Sequence, residues 1–404
     1  MNHSLNHNHQ SDLQKLSRQV VSNSCKRKAV DDICQRPSKI INMEVSTSLY
    51  KENLITTDLE RIRHNINRNR LSANMSATPK NIREVHEALD VINVVTDRNE
   101  PFLLLNDIKS NIVIFSTTSN LNCLSQCQTF YMDGTFKYCA KFFFQLFSIH
   151  GLRNGHYIPL VFCLLPNKQV ATYITLFNSL LSLSNDQHIF LNPQKIVVDY
   201  EMAIHNSVQS VWPTAKIFGC RFHLAQSWYR KIQSLGLVSI YKGDTEHGKW
   251  LQHLFGLPFL DPDRVGECFT ENFMADLPQL NSFTKLADYL VDNYITEHSS
   301  FPPSIWASKT SSLLLTTNPC ESFHSHFSKI FYHTHPNIHT FVKTLTEYQC
   351  LIYIKIQSVN IPVTVKTKRV REAENFLSQK ILELDSKRIL EYDYVKLVCH
   401  RYKI

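Results

Sequence analysis

Glycine is scarce in this chain, with nine residues in 404. Neither a Walker-type loop nor a G-x-G-x-x-G turn occurs, so chemistry built on a nucleotide cofactor is not expected. Long apolar runs are also missing. None reaches the roughly 20 residues that a bilayer span requires, and no signal peptide opens the chain, so no membrane partner is expected. The eleven cysteines are scattered and odd in number, without the paired spacing of a disulfide framework. A reducing compartment, cytosol or nucleus, is the expectation. No internal repeat is present.

What remains is a globular mixture, 43% hydrophobic and 19% charged, long enough for one large or two ordinary domains. Lys and Arg exceed Asp and Glu by 43 to 35, a mild surplus that suits an anionic partner. Residues 1–100 read as a polar, basic arm with a charged helix near Thr57 to Arg70, expected to be poorly ordered up to about residue 50. From about Leu103 apolar segments alternate with short polar turns, and the folded core begins.

Strands are expected at 127–136, 142–152 and 156–166, a helix at 169–184, a strand at 195–199 and a helix at 201–211. A strand at 215–222 and a helix from about Leu224 follow. Residues 101–236 thus run βββαβαβα, which is the ribonuclease H-like α/β arrangement. Residues 237–310 carry aromatics and leucines at helical spacing and read as a helical insertion. A core helix is expected within 311–350, and a helical basic region over 351–404.

Three acids stand out, each with a plain structural alternative. Asp133-Gly134 lies between apolar runs and fits a hairpin turn as well as a buried strand. Asp199 precedes a helix and fits an N-cap. Glu321, three residues after Asn318 with Pro319 between, fits a capping box. Taken together they point elsewhere. In a ribonuclease H-like sheet the first and fourth strands are neighbours, so Asp133 and Asp199 would face each other. Two carboxylates that close repel unless a divalent cation neutralises them, and hard oxygen ligands suit Mg²⁺ or Mn²⁺. That combination serves two-metal phosphoryl transfer.

The stretch from Tyr131 to about Leu237 resembles the transposase domain of Mutator-like elements (MULEs). The resemblance rests on Asp133-Gly134-Thr135-Phe136, Gln145 to Gly151, Pro159 to Lys168, Asp199-Tyr200-Glu201-Met202-Ala203 and Gly219-Cys220-Arg221-Phe222-His223. It continues to Thr317-Asn318-Pro319-Cys320-Glu321-Ser322-Phe323-His324. It implies that Asp133, Asp199 and Glu321 occupy the family's DDE positions and bind Mg²⁺ or Mn²⁺. It also implies double-stranded DNA as partner, a homo-oligomer on that DNA, and a nuclear location. Cys220 and His223 match the family's Cys-x-x-His element, which supplies two zinc-like ligands where a tetrahedral site needs four. A buried cysteine beside a hydrogen-bonded histidine is the alternative. His324, His326, His333 and His335 are candidate distal partners, or surface imidazoles that meet phosphate.

His7-Asn8-His9 resembles the closing histidines of a FLYWCH-type zinc finger, but no cysteine pair precedes it, so a structural zinc site is not expected. The basic knots Lys26, Arg27, Lys28 and Lys366, Lys368, Arg369, Arg371 are candidate DNA contacts or solvated surface. The leading expectation is a cut-and-paste transposase. A domesticated derivative that binds DNA without chemistry, and a host ribonuclease H-like nuclease, are the alternatives.

Overall fold

The computed structural model describes residues 12–31, 35–73, 78–331, 333–361 and 368–402. His7, His9 and Lys366 lie outside them, and the zinc-finger expectation with them. Over its described part, the arm expected to be poorly ordered is folded. Helices α1 (Leu13–Asp31), α2 (Pro37–Thr47) and α3 (Thr56–Ala73) bury Val21, Cys25, Ile40, Ile41, Ile62 and Ile66 in one small core. Each helix brings only two or three apolar residues, a stripe too sparse to read alone. Three such stripes facing one another close a core. Helix α4 (Ile82–Val91), capped by the Asn81 side chain, leads to the sheet.

The sheet mixes antiparallel and parallel pairing. Strands β1 (Leu103–Asp107) and β2 (Ile112–Phe115) form a hairpin, followed by α5 (Thr118–Ser125). Strands β3 (Thr129–Thr135), β4 (Gln145–Arg153) and β5 (His156–Leu165) then make an antiparallel meander. Helix α6 (Val170–Asn185) crosses back to β6 (Lys195–Val198), and α7 (Met202–Val211) to β7 (Lys216–Gly219), both parallel additions beyond β3. The order across the seven strands is β1-β2-β5-β4-β3-β6-β7. The β1–β2 hairpin, absent from the sequence reading, widens the sheet at β5.

The tight hairpin turn sits at Asn154-Gly155, where both residues have positive φ (49° and 85°), the signature of a type I′ turn. Asp133-Gly134 lies inside β3, paired with Ser148 and Phe147 of β4. Alternation along the strands sorts the two faces. Phe130 and Phe147 point to one side, where they meet Trp212 and the Tyr173 and Phe177 rings of α6. Phe162 and His150 point to the other, under Phe323 of α14 (Asn318–Ile330), while Phe115 meets Phe341 of α15 (Ile338–Ser358).

A second apolar core begins at α8 (Arg221–Ser234). It gathers the helical region 237–310, with α9 (Val238–Lys242), α10 (Glu246–His253), α11 (Pro262–Cys268), α12 (Asn281–Leu290) and α13 (Pro303–Trp306). Helices α16 (Lys368–Asp385) and α17 (Glu391–Val398) add Leu377, Tyr394 and Val395 to the same core. Among the described residues no helix is long and apolar enough to cross a membrane.

Arg221 ties this second core to the sheet. It is 2% exposed, its Nη2 donates to the carbonyls of Pro258 (2.9 Å) and Ser308 (2.7 Å), and its guanidinium lies 4.6 Å from the Phe259 ring. Removing it leaves two inward carbonyls without their charged donor, at a cost of about 3 kcal/mol. Arg221→Met is therefore expected to lower the thermal unfolding midpoint by several degrees. An unchanged midpoint would show that the helical region is held by other means.

Candidate functional site

Asp133 is 8% exposed, in the fifth position of a strand whose other face is apolar. Its Oδ2 lies 3.3 Å from Nδ1 of His324, on α14. The far nitrogen of that imidazole, Nε2, is 2.9 Å from the Ser148 hydroxyl, which in turn is 2.9 Å from Nε2 of His150. The four residues form one buried polar chain, with Ser148 and His150 alternating on β4 and His324 descending on them from the helix. A chain of this kind is costly unless every member is paired, and here each member has a partner.

Asp199 follows the last residue of β6. The parallel register pairs Tyr131 with Val197, so two residues further along each chain Asp133 and Asp199 stand side by side on one face. Burial, and after it the negative charge of Asp133, push the Asp199 carboxyl up to about 6. Helix α7 begins after Glu201 without a side-chain cap, and the Asp199 carboxyl accepts from the Glu201 backbone N–H. The Asp199 carbonyl accepts a 2.7 Å hydrogen bond from His205 Nε2, which fixes the turn that carries the acid.

Glu321 occupies the first turn of α14, where Pro319 starts the helix and no side-chain cap bond forms. Its carboxylate reaches away from the helix, and Oε1 lies 2.9 Å from His223 Nε2. The capping-box alternative does not describe it. His223 is in the first turn of α8, behind Cys220 at the N-cap position. The Cys220 sulfur accepts from the Thr317 backbone N–H at 3.2 Å, so the Cys-x-x-His element also fastens the start of α14. Burial is the largest single influence on His223 and pulls it down. Contacts with Cys220 and Glu321 outweigh it and hold the imidazole above its usual range, protonated at neutral pH. Burial likewise raises Cys220, and His223 and Thr317 together bring it below the ordinary thiol value.

Asp133, Asp199 and Glu321 thus converge on one face of the sheet. Cys320, beside Glu321, packs there with Tyr131, Val197 and Phe218. Two imidazoles sit against the outer acids. His324 is the residue the sequence reading misjudged: it is 7% exposed and bound to Asp133, neither a zinc partner nor a surface imidazole. His326, His333 and His335 are exposed. The missed signal was the alternation of Ser148 and His150 in a run of buried apolar residues. Lys26, Arg27 and Lys28 lie on α1, and Lys368, Arg369 and Arg371 open α16.

Among the described residues, no group of three or more His, Cys, Asp or Glu stands close enough to hold a metal ion with the side chains as placed. The donor chemistry nevertheless fits a hard divalent ion. All three converging acids offer oxygen, Glu321 Oε1 is buried without an aligned hydrogen bond, and Asp199 is destabilised by a neighbouring negative charge.

The raised Asp199 carboxyl gives a direct check. Asp133→Asn removes the neighbouring charge and leaves burial in place, so the Asp199 pKa is expected to fall below about 6 while staying above the ordinary carboxylate value. Carboxyl ¹³C titration of the two proteins reads the difference, and an unmoved midpoint would mean that the two acids do not feel each other.

No curated protein shows significant similarity to the chain. Residues 129–227 match the MULE transposase domain family. The match opens with β3 and ends within α8, so it takes in Asp133, Asp199, Cys220 and His223 and stops before Glu321 and His324.

Proposed function

We propose that the chain is a DDE-type transposase of ribonuclease H-like architecture that cleaves and joins DNA strands with Mg²⁺ or Mn²⁺. The observation that carries the reading is the β3–β6 register, which sets Asp133 beside Asp199 under the helix that brings Glu321. The strand order β5-β4-β3-β6-β7, three antiparallel strands extended by two parallel ones, supports the architecture. The transposase-domain match supports DNA as substrate.

Asp133, Asp199 and Glu321 would hold the cation. When bound, a divalent cation neutralises phosphate charge and makes water or a 3′-hydroxyl a stronger nucleophile. The remaining work belongs to the protein. The Ser148–His150 chain behind His324 holds the first acid to one orientation, and the rigid strands set the spacing between the first and second. His223 holds Glu321 toward the sheet. The positive charge of His223 beside Glu321 would have to be given up as a cation arrives.

Glu321→Gln keeps the shape of the side chain and loses its charge. Nicking of supercoiled plasmid in Mg²⁺ or Mn²⁺ is expected to fall at least about 100-fold, with little change in thermal stability. Asp199→Asn should fall as far. Wild-type protein that binds DNA and never cuts it under any of these conditions would favour the domesticated, non-catalytic alternative.

Ser148→Ala breaks the buried chain without touching an acid. It is expected to weaken Mn²⁺ binding by about tenfold, the usual effect of removing an outer-shell partner. Calorimetric titration with Mn²⁺ measures this without DNA, and unchanged affinity would leave His324 and its neighbours a purely structural role.

A further inference from the structure

We infer that the N-terminal three-helix unit is a grip for double-stranded DNA, with the seam between α1 and α3 as its contact surface. The inference rests on the reading of the chain as a DNA-transposing enzyme. It assigns a partner to a part of the molecule that carries none of the three acids.

Charge is distributed unevenly along the chain. Residues 12–73 hold twelve Lys and Arg against seven Asp and Glu, so five of the chain's surplus of eight fall in this stretch. Helices α1 and α3 run parallel, as their hydrogen bonds show. Gln14 donates to Asp58 at 2.9 Å, Asn65 to the Ser22 hydroxyl at 3.1 Å, Asn69 to the Lys26 carbonyl at 3.2 Å and Arg70 to the Ala29 carbonyl at 3.0 Å. The seam is therefore fixed at successive turns.

Cations border it on both sides. Lys15, Ser22 and Lys26 follow one stripe of α1, at steps of seven and four residues, and Arg61, Asn65 and Arg68 one stripe of α3, at steps of four and three. Ser22 and Asn65 join the helices, so the four basic residues on those stripes flank the joint. Lys15, Arg61 and Arg68 are exposed, Lys26 is half-buried, and no ion pair is formed by any of the four among the described residues. At its C-terminal end the seam opens into a groove of about 640 Å³ lined by Asn23, Lys26, Arg27, Val30, Asp31 and Asn69. Asp31 is the one acid of that lining among the described residues.

A row of cations on a hydrogen-bonded helix pair suits the regular phosphates of a duplex. The spacing is set before binding, so little ordering cost remains, and released counterions supply the driving force. The groove's asparagines supply neutral hydrogen-bonding groups between the charges.

The test uses the full chain, a mixed-sequence duplex of 30 base pairs labelled with a fluorophore, and EDTA to prevent cleavage. The variant Lys26→Glu, Arg61→Glu, Arg68→Glu is compared with wild type and with Arg230→Glu, Lys242→Glu, Lys285→Glu, which makes the same charge change on exposed positions of the second core. Anisotropy should show the first variant at least about tenfold weaker at 0.1 M salt, with a salt slope lower by about 2 to 3, and the control close to wild type. Circular dichroism confirms that the helices persist. If wild type binds and the two variants lose affinity equally, or neither does, the grip is overturned while the proposed function stands. Tighter binding to phosphatidylserine vesicles than to the duplex would also overturn it. Failure of wild type to bind duplex at all would remove the transposase reading together with the grip.

Discussion

The parallel pairing of β3 with β6 decides most of what this molecule can do. It places Asp133 and Asp199 at the same level on one face, close enough that the charge on Asp133 raises the cost of charging Asp199. Buried like charges are tolerated only where compensating charge is at hand. Here His223, held above its usual imidazole range, lies against Glu321, while the His324 ring lies 3.3 Å from Asp133. The architecture around the sheet reads as the means of delivering those residues. Helix α8 brings His223 out of the end of β7, and α14 crosses over β3 and β4 to bring both Glu321 and His324.

Helix α8 serves both the candidate site and the second core. Its first residues serve the acids and its later ones, Leu224, Trp228 and Ile232, belong to the second core. Arg221 faces that core while His223, two residues on, faces Glu321. A helical residue two positions along points about 200° away, which is how one turn of helix reaches both sides. The second core therefore braces the helix start on which the third acid depends.

Much of this was legible in the sequence because the central strands and helices carry strong patterns. The runs at 129–135, 145–153 and 195–198 are β-branched and aromatic with flanking turn residues, and α6 shows a clear apolar face, so their places follow from period alone. Asp133 and Asp199 stood out because carboxylates are rare in or directly after such runs, whereas Glu321 was singled out only through the family resemblance. The N-terminal unit was not. Its helices are polar on most faces, and the few buried residues of each gain meaning only from the other two. The β1–β2 hairpin was missed because two short apolar strands beside a larger sheet look like any apolar stretch. His324 was misjudged because a histidine in a polar helix start gives no local sign of being buried. Its partner Ser148 lies 176 residues away in the chain.

The insertion between α8 and α14 has a consequence for how the molecule comes into being. Asp133 and Asp199 leave the ribosome early and can pair as soon as β6 finds β3. The apolar patch of Tyr131, Val197 and Phe218 beside them waits for Cys320, about a hundred residues after α8 begins. During that interval the sheet presents an uncovered apolar and acidic face, and long-range closures of this kind are slow. The Thr317 N–H bonded to the Cys220 sulfur marks where that late closure ends, with α14 locked to the start of a helix made long before it.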